Sequence, residues 1–143
     1  MIKNIRHTGI VIENIEESVS FYRDLLGFEI RTQMEESGDY INNMLDLENV
    51  QVTTIKMGLP SGGPMIELLY FSSHPKGKII KSLCDIGPTH IALTVENLDE
   101  LKELLKKQNI PFLSEPQYSP DGKVKLAFCQ APEGTYLELV EEL

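Results

Sequence analysis

From residue 7 the chain alternates. Thr8, Ile10 and Ile12 fall on one side of an extended segment, and His7, Gly9 and Val11 on the other. A period of two is the mark of a half-buried strand. Val19, Phe21, Tyr22, Leu25 and Leu26 then recur at helical spacing until Gly27, a residue that tolerates the left-handed backbone at a helix end. Phe28–Arg31, Val50–Lys56 and Met65–Phe71 read as three further strands, the last two flanking the turn-forming Pro60-Ser61-Gly62-Gly63. Phe21 and Tyr22 read as core under the helix.

The pattern then repeats. Residues 7–17 read HTGIVIENIEE and residues 90–100 read HIALTVENLDE. His7 aligns with His90, Glu13 with Glu96, Asn14 with Asn97 and Glu17 with Glu100, and the aliphatic positions match at Ile10/Leu93, Ile12/Val95 and Ile15/Leu98. Leu101, Leu104 and Leu105 continue a helix that Asn109 stops. Strands are expected at Ile110–Leu113, Val124–Gln130 and Tyr136–Val140, with turns at Ser119-Pro120-Asp121-Gly122 and Ala131-Pro132-Glu133-Gly134. Internal duplication of this kind organises the whole reading. Each half is β-α-β-β-β: a first module over 1–71, a linker over 72–86 and a second module over 87–143, together one compact α+β domain. Residues 32–49 read as an irregular insertion with a short helix around Tyr40–Leu47, and the linker as carrying a short helix at Ile79–Leu83.

Two residue types are out of keeping with this apolar frame. Glu67 sits in Met65-Ile66-Glu67-Leu68-Leu69 and Glu138 in Tyr136-Leu137-Glu138-Leu139-Val140. Strand centres seldom carry glutamate, and an ionised carboxylate costs several kcal/mol to bury unless paired or bound to metal. Taken singly, each glutamate reads as facing solvent and each histidine as a satisfied polar residue. Duplication changes that, because His7/His90 and Glu67/Glu138 are equivalent pairs. If the halves are related by a pseudo-two-fold, two imidazoles and two carboxylates converge. That donor set suits one Zn²⁺, Ni²⁺, Co²⁺, Fe²⁺ or Mn²⁺ ion and leaves two of six positions open.

Charge and composition narrow the partners. The chain of 143 residues has a formal charge of −9 and 41% hydrophobic content, a balance that fits a globular protein and disfavours nucleic acid or an anionic membrane surface. No apolar run reaches spanning length and no signal-like segment opens the chain, which leads us to expect a cytoplasmic protein. Cys84 and Cys129 match no metal or redox spacing and are expected to be reduced.

The segments Phe21-Tyr22-Arg23-Asp24-Leu25-Leu26-Gly27-Phe28, Ile66-Glu67-Leu68, His90-Ile91-Ala92-Leu93 and Ala131-Pro132-Glu133-Gly134-Thr135-Tyr136-Leu137-Glu138-Leu139 resemble the vicinal oxygen chelate superfamily, over nearly the whole chain. That superfamily includes glyoxalase I, methylmalonyl-CoA epimerase, fosfomycin resistance enzymes, extradiol dioxygenases and bleomycin resistance proteins. The resemblance implies two βαβββ modules whose mixed sheets curl around a metal-binding cup, formed within one chain or across a homodimer, with His7, Glu67, His90 and Glu138 as ligands. A carboxylate at both last-strand positions is closest to glyoxalase I. The expected chemistry is then a lyase or isomerase reaction on a small molecule, by proton transfer next to a carbonyl through a metal-stabilised enediolate. Glu138 and Glu67 are the candidate bases, with Glu138 preferred. No match to glutathione-contacting basic residues is seen, and the substrate-binding residues are unknown. Alternatives are an epimerase of the methylmalonyl-CoA type, an Fe²⁺ dioxygenase and a non-catalytic binding module on the same fold.

Other polar residues carry weaker expectations. His74 reads as surface. Lys123 and Lys125 read as solvated, or as contacts for an anionic substrate. Tyr40, Asn42 and Met44 are possible pocket residues, and Glu141 and Glu142 read as solvated.

Overall fold

The computed structural model describes residues 1–77 and 82–143, and the chain divides into two compact units, Met1–Lys78 and Ile79–Leu143. In the first unit β1 (His7–Val11) leads into α1 (Ile15–Ser20), which continues without a break into a π-helical turn, Phe21–Leu25. There follow β2 (Glu29–Ser37), α2 (Asp39–Leu45), β3 (Gln51–Gly58) and β4 (Met65–Phe71). The sheet order is β1-β4-β3-β2, with β1 parallel to β4 and the other pairs antiparallel. The second unit repeats the plan with β5 (His90–Val95), α3 (Leu98–Lys107), β6 (Gln117–Tyr118), β7 (Val124–Gln130) and β8 (Tyr136–Glu142). Its order, β5-β8-β7-β6, is the same, and β5 is again parallel to β8. The architecture is the expected α+β one: two four-stranded mixed sheets.

The repeated helices start for the same local reason. Asn14 Oδ1 accepts the Glu17 amide at 3.0 Å, and Asn97 Oδ1 accepts the Glu100 amide at 3.1 Å. Each satisfies an amide that the first turn leaves without a partner. Both helical segments end at a left-handed residue, Gly27 (φ 78°) and Asn109 (φ 59°). The π turn widens the first helix so that Phe21 and Tyr22, at adjacent positions, are both buried. Their rings meet edge to face at 5.0 Å, and Tyr22 meets Phe28 at 6.0 Å.

One face of the first sheet buries Ile10, Ile12, Ile55, Met57, Ile66 and Leu68, and the matching face of the second buries Ala127, Cys129, Leu137 and Leu139. Burying each large aliphatic side chain contributes about 1.5–3 kcal/mol. In the second unit α3 packs on β7 and β8, and two cations are drawn into that packing. Lys125 pairs with Asp99 at 2.8 Å and Glu141 at 3.1 Å, and Lys102 pairs with Glu115.

The insertion is ordered differently from the expectation in one respect. β2 runs on to Ser37, so only 39–45 is helical, inside the expected Tyr40–Leu47 region apart from Asp39. Ile41 of α2 packs with Val50 and Val52, against Leu69 and Phe71, on the sheet face opposite the main core. The expected strand at Ile110–Leu113 is reduced to a single bridge from Phe112 to Cys129, and the paired edge lies later, at Gln117–Tyr118. Pro111 and Pro116 supply no amide for a continuous ladder. Residues 79–81 of the expected linker helix lie outside the described residues. Ser82 and Leu83 are not helical, and the Ser82 amide donates to Asp85 Oδ2 at 2.7 Å in a turn.

Candidate metal centre

Register brings each histidine to its glutamate. In the first unit His7 lies opposite Met65 and Gly9 opposite Glu67 on adjacent parallel strands. His7 Nε2 is 3.0 Å from Glu67 Oε2. In the second unit His90 lies opposite Tyr136 and Ala92 opposite Glu138, and His90 Nε2 is 3.3 Å from Glu138 Oε2. Because the period is two, these four residues face away from the main core of their own unit. The small residues Gly9 and Ala92 leave space in front of the carboxylates. An added Cβ on Gly9 would stand 3.4 Å from Leu69 Cδ1, the end of a flexible side chain.

The two imidazoles are held differently. His90 Nδ1 lies 2.9 Å from the Thr89 hydroxyl, which leaves Nε2 turned towards Glu138. His7 Nδ1 is buried and has no hydrogen-bond partner among the described residues. Its ring is therefore tied by one polar contact, the one to Glu67.

The carboxylates also differ in surroundings. Lys56 is directly opposite Glu67 across β3 and β4, and its Nζ is 3.7 Å from Glu67 Oε1. Glu67 thus lies between an imidazole and an ammonium. The position opposite Glu138 is Phe128, whose ring stands edge-on to His90 at 5.3 Å. Lys56 is a residue the sequence reading passed over, treating it as the end of a strand. The strand runs two residues further, and the alternation of Ile55, Lys56 and Met57 already sets the lysine on the face opposite its apolar neighbours.

Each pair is a fitting half of a metal site: one imidazole nitrogen and one carboxylate oxygen, side by side on neighbouring strands. Two donors do not make a site, and among the described residues no three His, Cys, Asp or Glu side chains form a group able to hold an ion.

A family model described as the Glyoxalase/Bleomycin resistance protein/Dioxygenase superfamily matches residues 4–139. The chain belongs to this superfamily. The superfamily includes enzymes such as glyoxalase I, and the two mixed four-stranded sheets expected from the resemblance are observed. The chain is 30% identical to the uncharacterised protein YwkD of Bacillus subtilis, with 99% of each chain covered. It is 26% identical to a probable lactoylglutathione lyase of Synechocystis, covering 94% of this chain and 92% of that one. A glyoxalase family protein from Bacillus cereus has the same fold with a TM-score of 0.91 at 24% identity, over 100% and 96% of the two chains. The trypanothione-dependent glyoxalase I of Leishmania major matches with a TM-score of 0.72 at 24% identity, over 99% and 88%.

The weaker candidates separate. Lys125 is neither solvated nor on the site face: it is buried against α3, and its hydrogen bonds to Asp99 and Glu141 raise its pKa. Glu141 is likewise drawn in, accepting the Leu98 amide at 3.1 Å, because β8 extends past Val140 and turns that side chain towards α3. Lys123 and Glu142 are exposed. His74 is half-buried, with Nδ1 2.7 Å from the Ser73 hydroxyl. Tyr40 and Met44 are exposed on α2, while Asn42 Oδ1 accepts the Val50 amide at 2.8 Å and so serves the fold. Burial pushes the Cys129 thiol up to about 12, which leaves it unreactive at neutral pH. Among the described residues no helix is long and apolar enough to cross a membrane.

Proposed function

We propose that this chain is a metal-dependent lyase or isomerase of the glyoxalase type, acting on a small oxygenated molecule. The observation that carries the reading is the duplication of one His–Glu pair, at 3.0 Å and 3.3 Å, at equivalent positions of two sheets. The four side chains His7, Glu67, His90 and Glu138 hold one divalent ion of the Zn²⁺, Ni²⁺, Co²⁺, Fe²⁺ or Mn²⁺ group. The two modules, 1–71 and 87–143 joined by 72–86, supply them from one chain or from two chains of a homodimer. When bound, the ion supplies positive charge to substrate oxygens next to the carbon that loses its proton.

The protein's own part is to move that proton. Glu138 is the base in this reading. Its only ion-pair partner among the described residues is His90, whereas Glu67 is held by both His7 and Lys56. A carboxylate with fewer ties is freer to take and return a proton within hydrogen-bonding reach of the carbon. Glu67 is the second candidate for that role.

The test has two stages. Purified protein is first reconstituted with each ion and its metal content measured; about one ion per four-ligand set is expected, and no stoichiometric metal with any of them overturns the proposal. Loaded protein is then incubated in deuterated water with 2-oxo hemithioacetals and 2-methyl acyl-CoA esters. Exchange of the carbon-bound proton in one of these classes is expected. Metal binding without exchange in any of them would leave a binding module in place of an enzyme.

A further inference from the structure

Two segments of the first unit expose apolar side chains. Met1, Ile2 and Ile5 stand out in the arm ahead of β1, with Ile2 96% and Ile5 72% exposed. Tyr40 and Met44, one helical turn apart on α2, are 75% and 57% exposed, and Leu47 just past the helix is exposed as well. Single exposed apolar residues are ordinary. Here they gather on two short segments of opposite charge. Residues 1–6 carry Lys3 and Arg6 and no acid. No lysine or arginine occurs from 32 to 55, where Glu35, Glu36, Asp39, Asp46 and Glu48 lie. Of these, Asp39, Asp46 and Glu48 are exposed on α2 or just beyond it.

The arm cannot serve its own α2. It is tied to the sheet at Arg6, whose carbonyl accepts the Met65 amide at 3.2 Å, and β1 then runs parallel to β4. Residues 1–5 therefore lead away from the far end of β4, where Ile41 seats α2 against Leu69 and Phe71. To reach Tyr40 the arm would have to reverse, cross about 13–20 Å of sheet and climb over the helix. Five residues span only about 17 Å at full stretch. A second copy has no such limit. We propose that residues 1–6 of one copy lie across the Tyr40–Met44 face of α2 in a second copy, whose own arm returns the contact. The exchange is reciprocal, so it closes as a two-fold dimer. It sets a basic arm on an acidic patch in a chain whose formal charge of −9 otherwise drives copies apart. It gives the homodimer of the proposed function a surface, and it does not depend on the ion.

The experiment uses the full chain without added metal. Sedimentation reads its mass in solution, and circular dichroism checks that each variant is folded. Wild type is expected to be a dimer at micromolar concentration. Two charge-reversed chains, K3E/R6E and D39K/E48K, each set like charges against each other when they self-associate. Alone, each should dissociate at least about tenfold more readily than wild type, since like charges brought face to face are costly. Mixed in equal amounts they should recover the dimer, because the acidic arm then meets the basic α2 and the basic arm the acidic one. E48K alone replaces D39K/E48K should the start of α2 be disturbed. I2E/I5E removes the apolar part of the arm contact and should also favour the monomer. A monomeric wild type overturns the proposal. A folded I2E/I5E chain that dimerises as wild type does overturns it too, and leaves the α2 face to another occupant. So does a mixture of folded charge-reversed chains that stays monomeric.

Discussion

The Thr89 hydroxyl lies 2.9 Å from Nδ1 of His90, whereas Nδ1 of His7 is buried and unpartnered among the described residues. A ligating imidazole is oriented by what its second nitrogen meets, and loss of such a partner typically costs 10–100-fold in metal affinity. T89V keeps the shape of the side chain and removes the hydroxyl. Because Thr89 is only half-buried, we expect a weakening of about tenfold, at the low end of that range. Competition against a chelator of known affinity measures it, and unchanged affinity would show that the hydroxyl does not orient the ring.

Exchanging Glu138 for Gln keeps an oxygen donor and removes the proposed base. We expect most of the metal to remain while deuterium exchange into substrate falls by about 10²–10⁴-fold, the usual contribution of a positioned base. Full exchange in E138Q would transfer the role to Glu67, and E67Q is then the variant to measure.

The duplicated caps give a prediction about the fold. Asn14 and Asn97 each accept an amide of the first helical turn, at 3.0 Å and 3.1 Å. Asn97 also donates through Nδ2 to Glu100 Oε2 at 3.2 Å. Replacing either by Ala should cost about 1 kcal/mol, within the 0.5–2 range for such caps, and N97A should cost at least as much as N14A. Chemical denaturation of the two variants decides it. A loss below the error of the measurement in both would mean that tertiary packing alone sets where the helices begin.

The His–Glu strands and the helix stops could be read from residue order, because each depends on local period and on residues with a narrow conformational use; the repeat aligned Asn14 with Asn97, but their capping role emerges only from the hydrogen bonds. Six of the eight strands are legible that way to within two residues at their ends, while β2 runs six residues past its expected end at Arg31. What was not readable depended on partners distant in sequence. Lys56 acquires its meaning only from Glu67 across the ladder. Lys125 and Glu141 read as solvated until β7, β8 and α3 close on them. The displaced edge strand of the second unit is a further case: Phe112 has strand character, but the prolines on either side confine its pairing to one bridge. The four proposed ligands stand between these classes. Their pairing in twos is observed, and their convergence on one ion is the proposal that metal analysis tests.

The ionic clasp of α3 predicts how stability follows pH. The Lys102 hydrogen bond holds the Glu115 carboxyl below its ordinary value, while Glu115 raises Lys102, and Asp99 and Glu141 raise Lys125. A carboxylate lowered in the folded state stabilises above its unfolded value and loses that contribution as pH falls through its folded one. A raised ammonium does the reverse, stabilising below its unfolded value and losing it as pH climbs through its folded one. With unfolded values of about 4.3 for Glu and 10.4 for Lys, this clasp contributes fully between about pH 5 and pH 10. Denaturation midpoints of wild type and E115Q should therefore differ on that plateau and converge below about pH 4. Those of wild type and K125M should converge as pH climbs above about 10. Salt separates the two pairs further. Glu115 is exposed and Lys125 is buried, so the Glu115 contribution should shrink in about 1 M salt, where screening acts within about 3 Å, while that of Lys125 persists. Equal salt sensitivity of the two variants would show that burial does not shield the Lys125 cluster.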